Sequence, residues 1–293
     1  MTDGPATTTG CFAAGHSCFF AKRLSVLRHP LDKLTAQRAN AVPMQILITN
    51  DDGYTAPGLK ALYDAVKPLG NVTVVAPAVC HSSKGHAVEV KRNITVHQTT
   101  VEGIGPVHVV DSSPGDCTRM GLQIICETPP DLVVAGINPG ANLGVDVYYS
   151  GTVAAAREAA MASVPAIAVS RYMRKDVPMD WNEISQLANA AIARLRQESI
   201  DPTQFWNLNL PAVSNAPVKG FAFVGHSTEP QGLGYEAVTD GDGQTEYAFV
   251  GNYQGRAATQ PADVRYIFDG YITATKLQLG SSASDAAPVV EPF

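Results

Sequence analysis

Two adjacent aspartates, Asp51 and Asp52, follow the short apolar segment Gln45–Thr49 after a single residue, Asn50. Adjacent carboxylates repel each other, so both stay ionised only where a positive charge compensates them. A hard divalent cation supplies that charge, and it takes its ligands from carboxylate, amide and hydroxyl oxygens. An Asp-Asp-Gly sequence is also common in helix caps and turns, and that reading stands as the alternative for the pair alone.

Further oxygen-bearing side chains follow two other apolar segments. Ser82 comes after Asn71–Ala76, and Asn138 comes after Asp131–Gly136. In an open α/β sheet, ligands bind outside the carboxyl ends of the strands, near the point where the strand order reverses. Three strand ends therefore deliver oxygen donors to one edge, which predicts a site for one divalent cation, Mg²⁺, Mn²⁺ or Ca²⁺. The predicted ligands are Asp51, Asp52, Ser82 and Asn138, and the first two are also the predicted catalytic residues.

The start of the Ala-rich segment Thr152–Ser163 has the features of an anion site. The first N–H groups of a helix have no partner within the helix, so they can bind a phosphate. Plain capping of the helix by Ser150 or Thr152 is the alternative. Within the helix, Arg157 and Glu158 are expected on one polar side. The predicted phosphate or substrate contacts are Asn142, Ser150, Gly151, Thr152, Lys84 and His86, and for Lys84 and His86 an ordinary position on the surface is the alternative.

The order of apolar and periodic segments predicts an α/β fold. Continuous apolar strands that alternate with helices are typical of a parallel sheet covered on both faces. The predicted strands are Gln45–Thr49, Asn71–Ala76, Val88–Val96, Val107–Val110, Asp131–Gly136 and Ala166–Val169. One predicted helix begins at Pro57. The other three cover Asp116–Ile125, Thr152–Ser163 and Trp181–Gln197. Together they predict a Rossmann-like, mostly parallel sheet with helices on both faces.

Composition divides the 293 residues into four parts. Residues 1–43 are basic and aperiodic, and they are predicted to be a poorly ordered extension. Residues 44–215 are the predicted catalytic core. Residues 216–280 are rich in Thr, Gly, Tyr and Val and contain turn sequences, so they are predicted to form a C-terminal β-hairpin arm that returns to the core. Residues 281–293 are a predicted tail.

Charge and cysteine content restrict the class of protein. The net charge is −6, from 21 Lys and Arg against 27 Asp and Glu, which excludes a general binder of nucleic-acid polymers because that function needs a basic face. The sequence has no run of 18 apolar residues, so no membrane span is expected. Five scattered cysteines indicate a reducing compartment, and we expect a cytoplasmic protein, or an organellar one if residues 1–43 are a transit peptide.

Several longer motifs carry a resemblance to a known family. They are Ile46–Gly53 with Ala56-Pro57-Gly58, Val74–Pro77, Ser113–Cys117, Gly136–Gly144 and Tyr149–Ala156. In these motifs the sequence resembles the SurE survival proteins, a family of metal-dependent 5′/3′-nucleotidases, most strongly over residues 44–170. The resemblance implies a Rossmann-like core, a cation held by the four residues above, hydrolysis of nucleoside monophosphates and an arm that forms a homodimer or homotetramer. The segment 78–81 departs from the family, because it lacks the charged residues usual there.

A hydrolytic mechanism agrees with these residues. Phosphoryl transfer needs positioning and charge neutralisation more than covalent chemistry from the protein. We favour attack by water, with Asp51 as the orienting base, over direct attack by an aspartate. The alternatives are a broad-specificity acid phosphatase or exopolyphosphatase and a non-catalytic nucleotide-binding protein. A Rossmann oxidoreductase is excluded, because the glycine fingerprint is absent after the first strand.

Overall fold

The computed structural model describes residues 43–212, 217–239, 245–251 and 255–280. Eleven strands occur in these ranges, nine of them in one sheet and two in a separate antiparallel hairpin. The strands are β1 (Met44–Thr49), β2 (Gly70–Pro77), β3 (Val96–Val101), β4 (Gly105–Val110), β5 (Leu132–Pro139), β6 (Ala166–Arg171), β7 (Gln204–Leu210), β8 (Phe221–Phe223), β9 (Leu233–Thr239), β10 (Thr245–Gly251) and β11 (Ile272–Gln278). Strands β9 and β10 form the hairpin.

The large sheet has the order β3-β4-β2-β1-β5-β6-β7-β11-β8. The six strands from β4 to β7 are parallel, whereas β3 and β11 run antiparallel to their neighbours β4 and β7. The chain passes from β1 to β2 on one side and later to β5 on the other side, so the strand order reverses at β1. This reversal is the point at which open α/β sheets bind their ligands. The predicted fold class is confirmed.

Helices cover both faces of the sheet. They are α1 (Pro57–Val66), α2 (Pro114–Met120), α3 (Gly151–Met161), α4 (Trp181–Leu195) and α5 (Asp263–Phe268). Successive side chains of a strand point to opposite faces, so Ile46 and Ile48 pack with Leu59 of α1, while Leu47 packs in the cluster that contains Val153 of α3. Each such side chain contributes about 1.5–3 kcal/mol when it is fully buried.

Local sequence signals fix where the helices begin. Ser150 caps α3, because its hydroxyl accepts a hydrogen bond from Val153 N, and Ser113 caps α2 in the same way through Asp116 N. Proline occupies the first turn of α1, where a missing N–H costs nothing. The starts of α2 and α3 are therefore each specified by a capping bond between residues three positions apart.

The structure corrects one predicted strand. Residues 88–95 do not form a strand, and β3 begins only at Val96. Side chains take the place of a neighbouring strand here: Glu89 N donates to Asp116 Oδ2 at 2.8 Å, and Lys91 N donates to Glu89 Oε1 at 2.8 Å. Backbone groups that are satisfied in this way are not available for a sheet ladder.

Other parts of the predicted organisation lie outside the described residues or differ in detail. The predicted tail and all but one residue of the predicted extension 1–43 are outside the described ranges, as is the turn at 241–243. Within the predicted arm, β8 and β11 belong to the large sheet, and α5 is a short helix that the pattern did not predict. None of the described helices is long and apolar enough to cross a membrane.

Candidate active site

Asp51 follows the end of β1 and is almost completely buried, with 3% of its surface exposed. The hydroxyl of Thr152 donates a hydrogen bond of 2.5 Å to Asp51 Oδ1. Burial raises the pKa of the Asp51 carboxyl, although the Thr152 hydroxyl and backbone N–H groups at the start of α3 oppose that rise. The first turn of α3 therefore points its donors at this carboxylate.

Asp52 is half-buried beside it, and its Oδ2 atom is buried without a hydrogen-bond partner among the described residues. Burial, followed by repulsion from Asp51, raises the pKa of Asp52 to about 7. Two carboxylates packed together at one strand end are costly unless a cation compensates them. The unpartnered Oδ2 has no such compensation from a hydrogen-bond donor among the described residues.

Ser82 lies in the loop that follows β2, the neighbour of β1. The backbone N–H of His81 donates to the carbonyl of Asp51 at 2.7 Å, which brings this loop directly against the Asp51 turn. Ser82 itself is exposed, and its hydroxyl lies 2.9 Å from the thiol of Cys80. The hydroxyl is thus open to solvent at the same edge as the aspartates.

Asn138 lies near the carboxyl end of β5, the other neighbour of β1. Thr49 and Ala135 are register partners in these two strands, so the ends of β1 and β5 lie side by side. The side-chain amide of Asn138 donates to the carbonyl of Gly140 at 2.5 Å, and this leaves Oδ1 as the atom that can serve as a ligand. Asn138 is half-buried.

These observations test whether the four residues fit a hard cation. All four offer oxygen, and they come from three neighbouring strand ends at the point of strand-order reversal. In the described ranges, no group of three or more His, Cys, Asp or Glu side chains could hold a metal ion, so any site here depends on the hydroxyl and amide oxygens of Ser82 and Asn138. An all-oxygen set with an unpartnered carboxylate atom fits Mg²⁺, Mn²⁺ or Ca²⁺.

The predicted phosphate contacts near α3 have protein partners of their own. Ser150 Oγ accepts from Val153 N at 3.0 Å, and the hydroxyl of Thr152 is bonded to Asp51. Gly151 lies so close to Asp51 that a side chain at position 151 would collide with it. Lys84 is exposed in the loop after β2. Their contact with a phosphate stays a prediction.

The side chain of Asn142 is buried, unlike that of the exposed Lys84. It is 8% exposed, its Nδ2 donates to Ser170 Oγ at 2.8 Å, and its carbonyl accepts from the side chains of Asn207 and Asn209 at 2.8 and 3.1 Å. This network fixes the loop after β5. Whether Asn142 contacts a substrate also stays a prediction.

Sequence reasoning missed a buried carboxylate beside the site. Glu158, expected on the polar side of α3, is 7% exposed and lies 2.7 Å from His86 Nε2, the sixth predicted contact. Its other oxygen accepts a hydrogen bond from Arg119 Nε. The dense alanines of α3 were the available signal, because a helix with small residues all round is packed on most of its surface.

Asn50 is a second residue without a predicted role. It is 1% exposed, and its side-chain amide donates to the carbonyl of Gly53 at 2.9 Å, which closes the turn that presents Asp51 and Asp52. Its Oδ1 is buried without a partner among the described residues.

Fold and site together define a class: a Rossmann-like α/β protein with an oxygen-rich candidate metal site at the reversal of strand order. The family model described as survival protein SurE matches residues 46–231. The chain therefore belongs to the SurE family.

Individual relatives agree with this family. A putative 5′-nucleotidase of Synechocystis sp. is 38% identical over 80% of this chain and 100% of its own length. The 5′-nucleotidase SurE of Maridesulfovibrio salexigens is 36% identical over 85% of this chain and 98% of its own length. The crystal structure of the SurE protein from Aquifex aeolicus superposes with a TM-score of 0.70 at 30% identity, covering 82% of this chain and 95% of the other.

Proposed function

We propose that this protein is a divalent-metal-dependent phosphomonoesterase that hydrolyses nucleoside 5′- and 3′-monophosphates to nucleoside and phosphate. The observation that carries the proposal is the Asp51–Asp52 pair at the reversal of strand order, with Asp52 Oδ2 buried and unpartnered. Membership of the SurE family, whose relatives named above are called 5′-nucleotidases, supports a hydrolase that acts on nucleotides.

In this proposal Asp51, Asp52, Ser82 and Asn138 hold one divalent cation. When bound, such a cation neutralises phosphate oxygens and lowers the pKa of water. Thr152 orients Asp51 through its hydrogen bond to Oδ1, and the same bond opposes the rise of the Asp51 pKa that burial causes. With its orientation fixed, Asp51 can accept a proton from an attacking water at Oδ2, which the Thr152 hydroxyl does not contact.

The start of α3 and the loops around it bind the phosphate in this proposal. The first N–H groups of a helix carry a partial positive charge, which favours the anion. Lys84 adds a charge that a solvent-exposed loop can bring to the substrate. The full proposed set is Asn142, Ser150, Gly151, Thr152, Lys84 and His86.

The test is hydrolysis of p-nitrophenyl phosphate, AMP and GMP by Asp51→Asn with Mn²⁺ or Mg²⁺ supplied. We expect kcat/KM to fall by at least about 100-fold, the range for loss of a catalytic acid or base. Asp64→Asn is the matched control, because Asp64 lies in α1 and pairs with Lys60 and Lys67. EDTA should abolish the activity of the wild type, and added metal should restore that activity. Full turnover in Asp51→Asn, or in EDTA, contradicts the proposal.

The same assay separates the alternatives. Comparable rates on nucleotides, p-nitrophenyl phosphate and short polyphosphate would identify a broad acid phosphatase or exopolyphosphatase. Binding of nucleotides without turnover under any metal would identify a non-catalytic nucleotide-binding protein. Comparison of 5′-AMP with 3′-AMP measures the positional preference.

We also propose that the β9–β10 hairpin joins subunits into a homodimer or homotetramer. Its large apolar side chains are exposed, with Tyr235 at 69%, Tyr247 at 67% and Phe249 at 54%. An isolated two-stranded hairpin is only marginally stable in water, so a ribbon with these side chains gains from burial against another copy. Sedimentation of Tyr235→Ser/Phe249→Ser should show a smaller species than the wild type. An unchanged oligomer contradicts the proposal.

A further inference from the structure

Glu158 is the point on α3 to which two other elements attach. Its Oε2 lies 2.7 Å from His86 Nε2, and its Oε1 accepts from Arg119 Nε of α2. Burial acts to raise the pKa of Glu158, but the hydrogen bonds from His86 and Arg119 outweigh it and hold the pKa below its usual range. Glu158 is therefore an ionised carboxylate that accepts hydrogen bonds on both oxygens.

His86 belongs to a loop that is attached to its surroundings at several points. Gly85 N donates to the carbonyl of Tyr149 at 2.9 Å, immediately before the cap of α3. The carbonyl of Ala87 accepts from Ser113 Oγ at 2.6 Å. The ring of His86 packs on the start of α2, since a Cβ added to Gly115 would lie 3.4 Å from its Nε2. The imidazole is therefore enclosed by two helices.

We propose that Glu158 is a positioning residue of the candidate active site. Helix α3 begins at Gly151, which lies against Asp51, and two turns later Glu158 holds His86. One rigid helix thus sets the position of the phosphate-binding turn and also of the loop that carries Ser82 and His86. The effect on catalysis rests on the function proposed above, whereas the effect on His86 does not.

The pairing also determines the tautomer of His86. An ionised carboxylate only accepts, so the hydrogen that it receives is on Nε2. In the neutral ring, Nδ1 is then the nitrogen that can accept a hydrogen bond from water or substrate. Glu158 therefore controls which nitrogen His86 offers to the site.

Glu158→Gln tests this role without changing the size of the side chain. A glutamine has one acceptor and one donor end, so it cannot accept from both neighbours. Arg119 can only donate, whereas a neutral imidazole can exchange its tautomer. We therefore expect the amide oxygen to face Arg119 and the amide N–H to face His86, which would move the ring hydrogen to Nδ1. Nitrogen-15 spectra of the histidine side chains measure this change directly.

Activity gives the second measurement. Partners that orient a functional side chain typically contribute 10–100-fold, so we expect kcat/KM of Glu158→Gln to fall by about 10–100-fold. Glu198→Gln is the matched control, because Glu198 also pairs with an arginine, Arg194, but lies beyond the end of α4. The control should retain wild-type kcat/KM and the wild-type histidine spectrum.

A double variant tests whether Glu158 acts through His86. In a His86→Gln background, Glu158→Gln should cost little further activity, because the side chain it positions is already gone. Fully additive losses, or an unchanged tautomer in folded Glu158→Gln, would overturn the proposal.

If Glu158→Gln does not fold, Arg119→Gln is used instead. It removes a partly exposed partner, and the proposal requires it to reduce kcat/KM while His86 keeps its hydrogen on Nε2.

These readouts separate the two proposals. A wild type without phosphatase activity contradicts the proposed function, yet the spectrum of His86 still tests its attachment to Glu158. An active wild type whose Glu158→Gln variant is equally active contradicts the positioning role alone.

Discussion

Gly151 lies directly against Asp51. A Cβ atom at position 151 would be 2.7 Å from the Asp51 Cβ and 2.9 Å from its Oδ2. Real Cβ atoms do not approach other atoms this closely, so only glycine permits the start of α3 to reach the buried carboxylate. The contact joins the beginning of a helix to the end of a strand that precedes it by about a hundred residues.

Gly151→Ala should therefore impair the site while it leaves the helix intact. Alanine favours helix over glycine, so a purely local effect would be stabilising. The added methyl group must instead displace Asp51, and a misplacement of about 1 Å can cost about 100-fold in rate. We expect a loss of that order in kcat/KM with an unchanged circular dichroism spectrum. Gly225→Ala is the control, because the space around Gly225 is open. Wild-type activity in Gly151→Ala would contradict the close contact.

Asp52→Asn should stabilise the metal-free protein. The carboxylate of Asp52 is held beside Asp51, and burial and repulsion both disfavour its charge. An amide of the same shape removes that cost, so we expect a higher midpoint of thermal unfolding in EDTA than for the wild type. Added Mn²⁺ should raise the midpoint of the wild type but have a much smaller effect on the variant, because a ligand is lost. A lower midpoint in EDTA would show that the charge is compensated within the protein.

The pairing of Glu158 predicts how stability depends on pH. Its pKa is lowered in the folded state, so the unfolded state binds the proton more readily in acid. The stabilisation is then fully present above the usual value of 4.5 and is lost as the pH falls through the lower folded value. We expect the difference in free energy of unfolding between wild type and Glu158→Gln to shrink as the pH falls below about 4.5. Urea titrations at several pH values measure it; a difference that grows in acid would contradict the assignment.

A buried ion pair connects the C-terminal arm to the loop before α3. Arg256 Nη1 lies 2.9 Å from Asp146 Oδ2, and the two side chains are 6% and 3% exposed. Removal of one partner leaves a charge buried, so Arg256→Met should lower the free energy of unfolding by about 3 kcal/mol. Arg265→Met is the matched control: its pair with Asp269 is 3.9 Å long and half-exposed, so its loss should cost less than about 1 kcal/mol. Equal costs in urea denaturation would contradict the difference in burial.

Sequence patterns predicted the central strands of the sheet well, because buried parallel strands are continuous apolar runs in the sequence. The segments that became β1, β2, β5 and β6 are continuous apolar runs, and each is followed by the residues of a strand-end loop. The same rule placed Asp51 and Asp52 at the carboxyl edge of the sheet, and in the structure they follow the end of β1. These predictions depended on periodicity alone, which the final fold preserves.

Contacts between distant segments could not be predicted in this way. Val88 and Val90 alternate with polar residues as in a strand, but carboxylates of Glu89 and Asp116 bind N–H groups of the segment 88–95 instead. Glu158 resembled a surface residue until His86 and Arg119 were placed beside it. Helix α5 has only six residues, too few for a clear helical period. The contacts of Asp116 with the segment 88–95 and of Glu158 with His86 and Arg119 depend on partners that lie far away in the chain, whereas α5 is missed because it is short.

Asp51 accepts two long-range hydrogen bonds: its side chain accepts one from the Thr152 hydroxyl, and its carbonyl accepts one from the backbone N–H of His81. Formation of these bonds requires the closure of chain loops, the longer of which spans 101 residues, and such closures carry an entropic cost that local structure does not repay. Helices can therefore form during refolding while the candidate site is still incomplete. Regain of turnover is expected to lag behind regain of helical signal, so it would report on the last tertiary contacts to assemble.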